Sequence, residues 1–149
     1  MNVNQLSPNG YHITETFSEI PNFTFTIDAV RGLRHVHYVE NTEFLNELIT
    51  YFDMREVKGV ELWRDYPGYE NHYHVDDYTL VENIAILYLD GTNTSNMGTG
   101  YIEEDQEFQI NYKLNDGLVL KNSKNILHGM IGRVTDVEYR TALYFNWKS

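Results

Sequence analysis

The chain has 149 residues, a length that suits one domain around one core. Its formal net charge of −11 sets its general surface against phosphate backbones and anionic lipid, so no nucleic-acid or membrane partner is expected. With no cysteine, disulfides, thiolate metal sites and thiol nucleophiles are excluded, and any metal must be held by His, Asp, Glu or Tyr. No apolar run reaches the ~20 residues of a membrane span. The start, MNVNQLSPNG, lacks the charged and apolar regions of a signal peptide, so a cytoplasmic setting is expected.

In chain order, residues 11–40 read as short strands and turns: YHITETF, FTFTIDAV after a Pro-Asn turn, then LRHVHYV. His35 and His37 form a same-face pair with no third ligand nearby and read as polar strand positions. One helix is predicted over ENTEFLNELITYFD, capped by Asn41 or Thr42, with Phe44, Leu45, Leu48, Ile49 and Phe52 on one apolar face. After Gly59 the pattern becomes short segments with turns between them: GVELWRD, NHYHVD, ENIAILYLD, a polar loop at 91–100, EFQINYKL, a turn at Asn115-Asp116-Gly117, GLVLKN, NILHGMIG and VEYRTALYFNW. Tyrosine, with 12 copies, suits half-buried pleated surfaces. The pattern predicts a mainly β barrel or jelly roll with the helix against its outside. Residues 1–149 are expected to form one domain, with strands and the supporting helix in 1–58 and the barrel core in 59–149.

Chemistry concentrates in HYHVDDYTL, residues 72–80. Side chains two apart on a strand share a face, so His74 and Asp76 project together, and His72 joins them if the strand is regular. His128, in the apolar NILHGM, is either a core histidine or a third ligand brought to the same mouth. Two imidazoles and one carboxylate make the facial triad of non-haem Fe(II) sites, which leaves positions open. Arg140 opens the last strand among apolar neighbours. A buried arginine takes a planar anionic partner, either a ligand carboxylate or one of the chain's 22 acidic residues.

The stretches DYPGYENHYHVDD, NIAILYLDGTNTSNMGTGY, GLVLKNSKNILHGM and EYRTALYFNW, in that order over residues 59–147, resemble the 2-oxoglutarate/Fe(II)-dependent oxygenases. The similarity is closest to the prolyl-4-hydroxylase-like branch and its short phage and bacterial members. The resemblance implies a double-stranded β-helix. It implies a dioxygenase that uses Fe(II), 2-oxoglutarate and O2 to hydroxylate an unactivated C–H bond of a peptidyl or small-molecule substrate. It matches His74, Asp76 and His128 to the iron ligands and Arg140 to the group that grips the distal carboxylate of 2-oxoglutarate. It matches Tyr66 to an aromatic lining that pocket, whereas Arg133 reads as a solvated turn residue. The chain departs from the branch at Leu87, where a hydroxyl for the same carboxylate is common, and at Gly98-Thr99-Gly100, where a Gly-Gly pair is common. Substrate contacts are expected from 69–73 and 91–100, with Asn71, His72 and Asp77 as candidates. Two other readings remain: a cupin-like metal site using His72, His74, Glu82 and His128, and a β-barrel binding module without catalysis.

Overall fold

In a computed structural model that describes residues 1–149, eleven strands form two antiparallel sheets. The strands are β1 (Asn2–Ser7), β2 (Gly10–Thr14), β3 (Ala29–Arg31), β4 (Arg34–Tyr38), β5 (Arg55–Asp65), β6 (Asn83–Tyr88), β7 (Thr92–Glu103), β8 (Gln106–Lys113), β9 (Gly117–Lys121), β10 (Leu127–Met130) and β11 (Arg140–Lys148). The large sheet runs β1-β2-β9-β6-β11-β5-β4-β3 and the small one β10-β7-β8. Two antiparallel sheets facing each other, with connections that pass from one to the other, are the jelly-roll solution to burying two apolar faces. No helix is long and apolar enough to cross a membrane.

Alternation on the large sheet divides the core in two. Outward-facing Leu62, Leu87, Val119, Leu143 and Phe145 are buried under Leu45, Leu48 and Phe17. Inward-facing Val36, Trp63, Tyr88, Leu118 and Ala142 meet Met97, Tyr101 and Ile110 of the small sheet. Burying each large apolar side chain contributes about 1.5–3 kcal/mol.

The helix lies where the apolar face places it, but it is shorter than predicted. A 3₁₀ turn over Glu43–Leu45 leads into α1 (Asn46–Tyr51). The Asn41 side chain accepts from the Glu43 N–H at 3.1 Å, so it is Asn41 rather than Thr42 that caps this end. Three other expectations need correction. Residues 91–100 are not a loop: β7 begins at Thr92, and Met97–Tyr101 are buried. Its polar first half pairs irregularly, with register shifts between Thr92 and Thr94 and between Thr94 and Thr99. Residues 72–77 form no full strand, only a single bridge between His74 and His128. FTFTIDAV contributes only Ala29 and Val30 to a strand, at the sheet edge.

Candidate metal centre and its cavity

His74, Asp76 and His128 come together although only one of them lies on a regular strand. The backbones of His74 and His128 exchange both hydrogen bonds, at 2.8 and 2.9 Å, which lays residues 71–74 along the edge of β10. Gly129 makes this possible. A Cβ there would stand 2.7 Å from the Asn71 carbonyl oxygen and 2.8 Å from the His72 carbonyl carbon. Asn122, buried on the loop after β9, donates to the backbone carbonyls of Asp76 at 3.2 Å and Val81 at 2.9 Å, and so holds the loop that presents the carboxylate.

One donor atom from each of the three residues lies within 4.8 Å of the others. His74 Nε2 is 3.2 Å from Asp76 Oδ1, and His128 Nε2 is 3.5 Å from Asp76 Oδ2. The His74 Nδ1–H donates to the His72 carbonyl at 2.7 Å; since a carbonyl only accepts, this leaves Nε2 as the ligating nitrogen. Burial opposes ionisation of Asp76, but hydrogen bonds from His128 and His74 outweigh it and hold the carboxyl well below the usual carboxylate range. The Asp76 hydrogen bond conversely raises His74. Two imidazoles around an ionised carboxylate are a donor set that fits Fe(II).

The triad opens into a cavity of about 290 Å³ between the sheets. Cross-strand pairing arranges the inner wall in rows. Arg34, Asp65 and Arg140 stand opposite one another on β4, β5 and β11, and the next inward row holds Val36, Trp63, Ala142 and Tyr88. The first row is thus a buried cation–anion–cation line. Arg34 grips Asp65 with Nε at 2.6 Å and Nη2 at 3.2 Å, and its guanidinium lies 3.5 Å over the Trp63 ring. Arg140, only 2% exposed, donates from Nη1 to the Met97 carbonyl at 2.8 Å. Its Nε is 3.3 Å from Asp65 Oδ2 yet makes no hydrogen bond. Two buried guanidiniums against one carboxylate leave a surplus positive charge on the cavity wall, a surplus an anion would neutralise. Thr99, hydrogen-bonded to the Tyr88 hydroxyl, also lines the cavity.

The structure thus brings His74, Asp76, His128 and Arg140 to one cavity. It does not bring Tyr66. Asp65 faces inward, so the next residue faces outward, and the Tyr66 ring packs against His35 at 4.6 Å and Tyr139 at 5.8 Å. Arg133, 63% exposed, lies 3.6 Å from Glu70. His72, 87% exposed, sits beside Glu70, and Glu82 accepts from the Ser149 N–H, so the four-ligand cupin arrangement is not formed. Of the substrate-contact candidates, Asn71 lines the cavity, while Asp77 is exposed and binds Thr79. Leu87 points to the outer core, and it is Thr99 that supplies a hydroxyl inside. Sequence reasoning missed Arg34 and Asp65. The available signal was their phase: Arg34 falls two residues before buried Val36, and Asp65 two after buried Trp63.

No protein-family model and no curated protein matches this chain. Solved structures do. A prolyl hydroxylase from Trichoplax adhaerens, in complex with a hypoxia inducible factor oxygen degradation domain peptide fragment, matches with a TM-score of 0.65 at 11% identity, over 82% of this chain and 65% of its own. A Pseudomonas putida prolyl-4-hydroxylase matches at 0.60 and 11% identity, over 78% and 69%. An oxidoreductase of the 2OG-Fe(II) oxygenase family from Burkholderia pseudomallei matches at 0.51 and 10% identity, over 99% and 72%. The chain spans about 65% of the length of the first of these. With these proteins it shares the double-stranded β-helix fold.

Proposed function

We propose that this chain is an Fe(II)- and 2-oxoglutarate-dependent dioxygenase that hydroxylates a C–H bond of a peptidyl or small-molecule substrate. The observation that carries this reading is the coexistence in one cavity of a two-histidine, one-carboxylate cluster and a wall with uncompensated buried positive charge. The fold, shared with oxygenases, supports it. The peptide in the first of those structures favours a peptidyl substrate.

In this reading His74, Asp76 and His128 hold the iron and leave positions open. Bound Fe(II) with 2-oxoglutarate and O2 supplies the oxidising chemistry, the cosubstrate leaving as succinate and CO2. The protein's own residues bind and orient. Arg140 takes the distal carboxylate of 2-oxoglutarate in charge-assisted hydrogen bonds, assisted by Thr99 and by the charge of Arg34. Asp65 keeps both guanidiniums in place when that carboxylate is absent. Trp63, Ile84, Leu118 and Met130 line the cavity and exclude water from the reacting region.

Anaerobic addition of Fe(II) and then 2-oxoglutarate to the purified protein tests this. The expected result is a visible charge-transfer band that is lost with Asp76→Ala and needs much higher 2-oxoglutarate with Arg140→Met. A parent protein that binds Fe(II) without any spectral response to 2-oxoglutarate would refute the cosubstrate assignment.

A further inference from the structure

Tyr144 stands on β11 in the inward row that also holds Glu61 and Ile86, one row from Trp63. Its hydroxyl donates to Asp76 Oδ2 at 3.2 Å. Its ring lies flat on Trp63, with centroids 4.6 Å apart and planes at 13°. Trp63 is itself fixed: its indole N–H donates to Glu61 Oε1 at 2.9 Å, and Glu61 takes both Nη groups of Arg31, at 2.8 and 3.1 Å. The phenol is therefore held in position from its ring face while its oxygen reaches the carboxylate.

The two oxygens of Asp76 consequently differ. Oδ1 has His74 Nε2 as its near neighbour at 3.2 Å. Oδ2 stands farther from its histidine, 3.5 Å from His128 Nε2, and already accepts the phenol hydrogen bond. Carboxylates bind cations through one oxygen or through both, and the choice changes how many coordination positions remain. An oxygen that holds a hydrogen bond from a fixed donor is a poorer ligand, and outer partners of this kind orient the ligand they touch.

We propose that Tyr144 is a positioning residue that restricts Asp76 to one-oxygen coordination through Oδ1, and so keeps a metal position open for a second ligand. The inference rests on the reading of His74, Asp76 and His128 as the metal site. Trp63, Glu61 and Arg31 act behind Tyr144, so the positioning chain runs from a half-exposed arginine at the cavity mouth to the metal ligand.

The test uses Co(II), whose visible ligand-field spectrum reports coordination, in the 149-residue chain. Tyr144→Phe keeps the ring on Trp63 and removes only the hydroxyl. The expected result is a changed Co(II) spectrum and about tenfold weaker 2-oxoglutarate binding to the Co(II) protein, within the 10–100-fold range of outer-partner losses. An unchanged spectrum with unchanged 2-oxoglutarate affinity overturns the proposal and leaves the metal site standing. Parent protein that binds no Co(II), or binds it equally well as Asp76→Ala, overturns both. A second measurement needs no variant: infrared difference spectra on Zn(II) binding should show the wide carboxylate splitting of one-oxygen coordination. A narrow, chelate-type splitting in the parent overturns the proposal.

Discussion

The two faces of the large sheet use the same strands for opposite ends. On β5, Val60 and Leu62 face outward while Glu61, Trp63 and Asp65 face inward; on β11, Leu143 and Phe145 face outward while Arg140 and Tyr144 face inward. Around the strand centres the outer face is apolar and sealed by α1 and the N-terminal segment. The inner face carries two buried cations and a buried anion, and it faces a metal-type cluster supplied by β10 and by residues 74–76. Burying charge is unfavourable unless it is paired, so the charged row of the inner face gives up stability that the outer core and the inner apolar rows must supply. The sheet therefore places its charged functional side chains on one parity only: inward positions share an apolar core with the cavity, while outward positions serve folding alone.

That division is testable by removing one residue from each side. Asp65→Ala leaves Arg34 and Arg140 buried without their shared carboxylate and is expected to cost about 3–5 kcal/mol, read as a lowered urea midpoint. An anion in the cavity should recover part of this loss, so adding 2-oxoglutarate should raise the variant's midpoint more than the parent's. Phe145→Ala on the outer face should cost a similar ~3–5 kcal/mol through a cavity, with no such recovery. If 2-oxoglutarate stabilised both variants equally, the faces would not be separable in this way.

Parity also explains which parts of the site could be read in advance. His74 and Asp76 were legible as a close His-x-Asp pair and His128 as the single later histidine, but the strand alternation expected to align the pair is not formed. The single bridge at His74 and the Asn122 hydrogen bond to the Asp76 carbonyl bring them together instead. Arg140 was legible as a cation among apolar residues. Tyr66 was misplaced because a resemblance matched its position without counting parity from Trp63 and Asp65. Arg34 was missed because its importance lies in register: only strand pairing puts it opposite Asp65 and Arg140. The β7 strand was hidden for a different reason. Its Thr, Asn, Ser and Gly residues carry turn propensity, and the burial of Met97–Tyr101 against the large sheet overrides it.

A smaller effect, confined to the inner side, is expected at Gly129. Alanine there places a methyl group against the Asn71 and His72 backbone at 2.7–2.9 Å and pushes residues 71–74 off β10. His74 then parts from His128, while the outer core is untouched. Gly129→Ala should therefore weaken Co(II) binding by at least about tenfold, as misplaced ligands do, with the thermal midpoint lowered by only a few degrees. Loss of cooperative unfolding instead would show that the small sheet, and not only the site, depends on this contact.

The smallest expected effect is the pH dependence of the metal-free protein, and its sign follows from two opposite shifts. Asp76 is held below its ordinary range, so its contribution to stability is present above the unfolded value of ~3.9 and lost as pH falls through the lower folded value. His74 is raised, chiefly by its hydrogen bond to Asp76, so its contribution is complete below the unfolded value of ~6.5 and lost as pH rises through the higher folded one. Both are present together between about pH 4 and 6.5, which makes the metal-free triad most stabilising in mild acid. His74 is more than a third exposed, so solvent screening keeps the effect below about 1 kcal/mol. Urea midpoints of the metal-free parent should accordingly fall between pH 5.5 and 8, and fall less in Asp76→Asn, where the partner that raises His74 is gone. A metal ion reverses the preference. It replaces the proton on His74 Nε2, so in saturating Zn(II) the midpoint should rise over the same interval, as metal affinity does when its ligands deprotonate. A midpoint that falls equally with and without Zn(II) would mean that the histidines titrate independently of the metal, and would separate the cluster from the metal chemistry assigned to it.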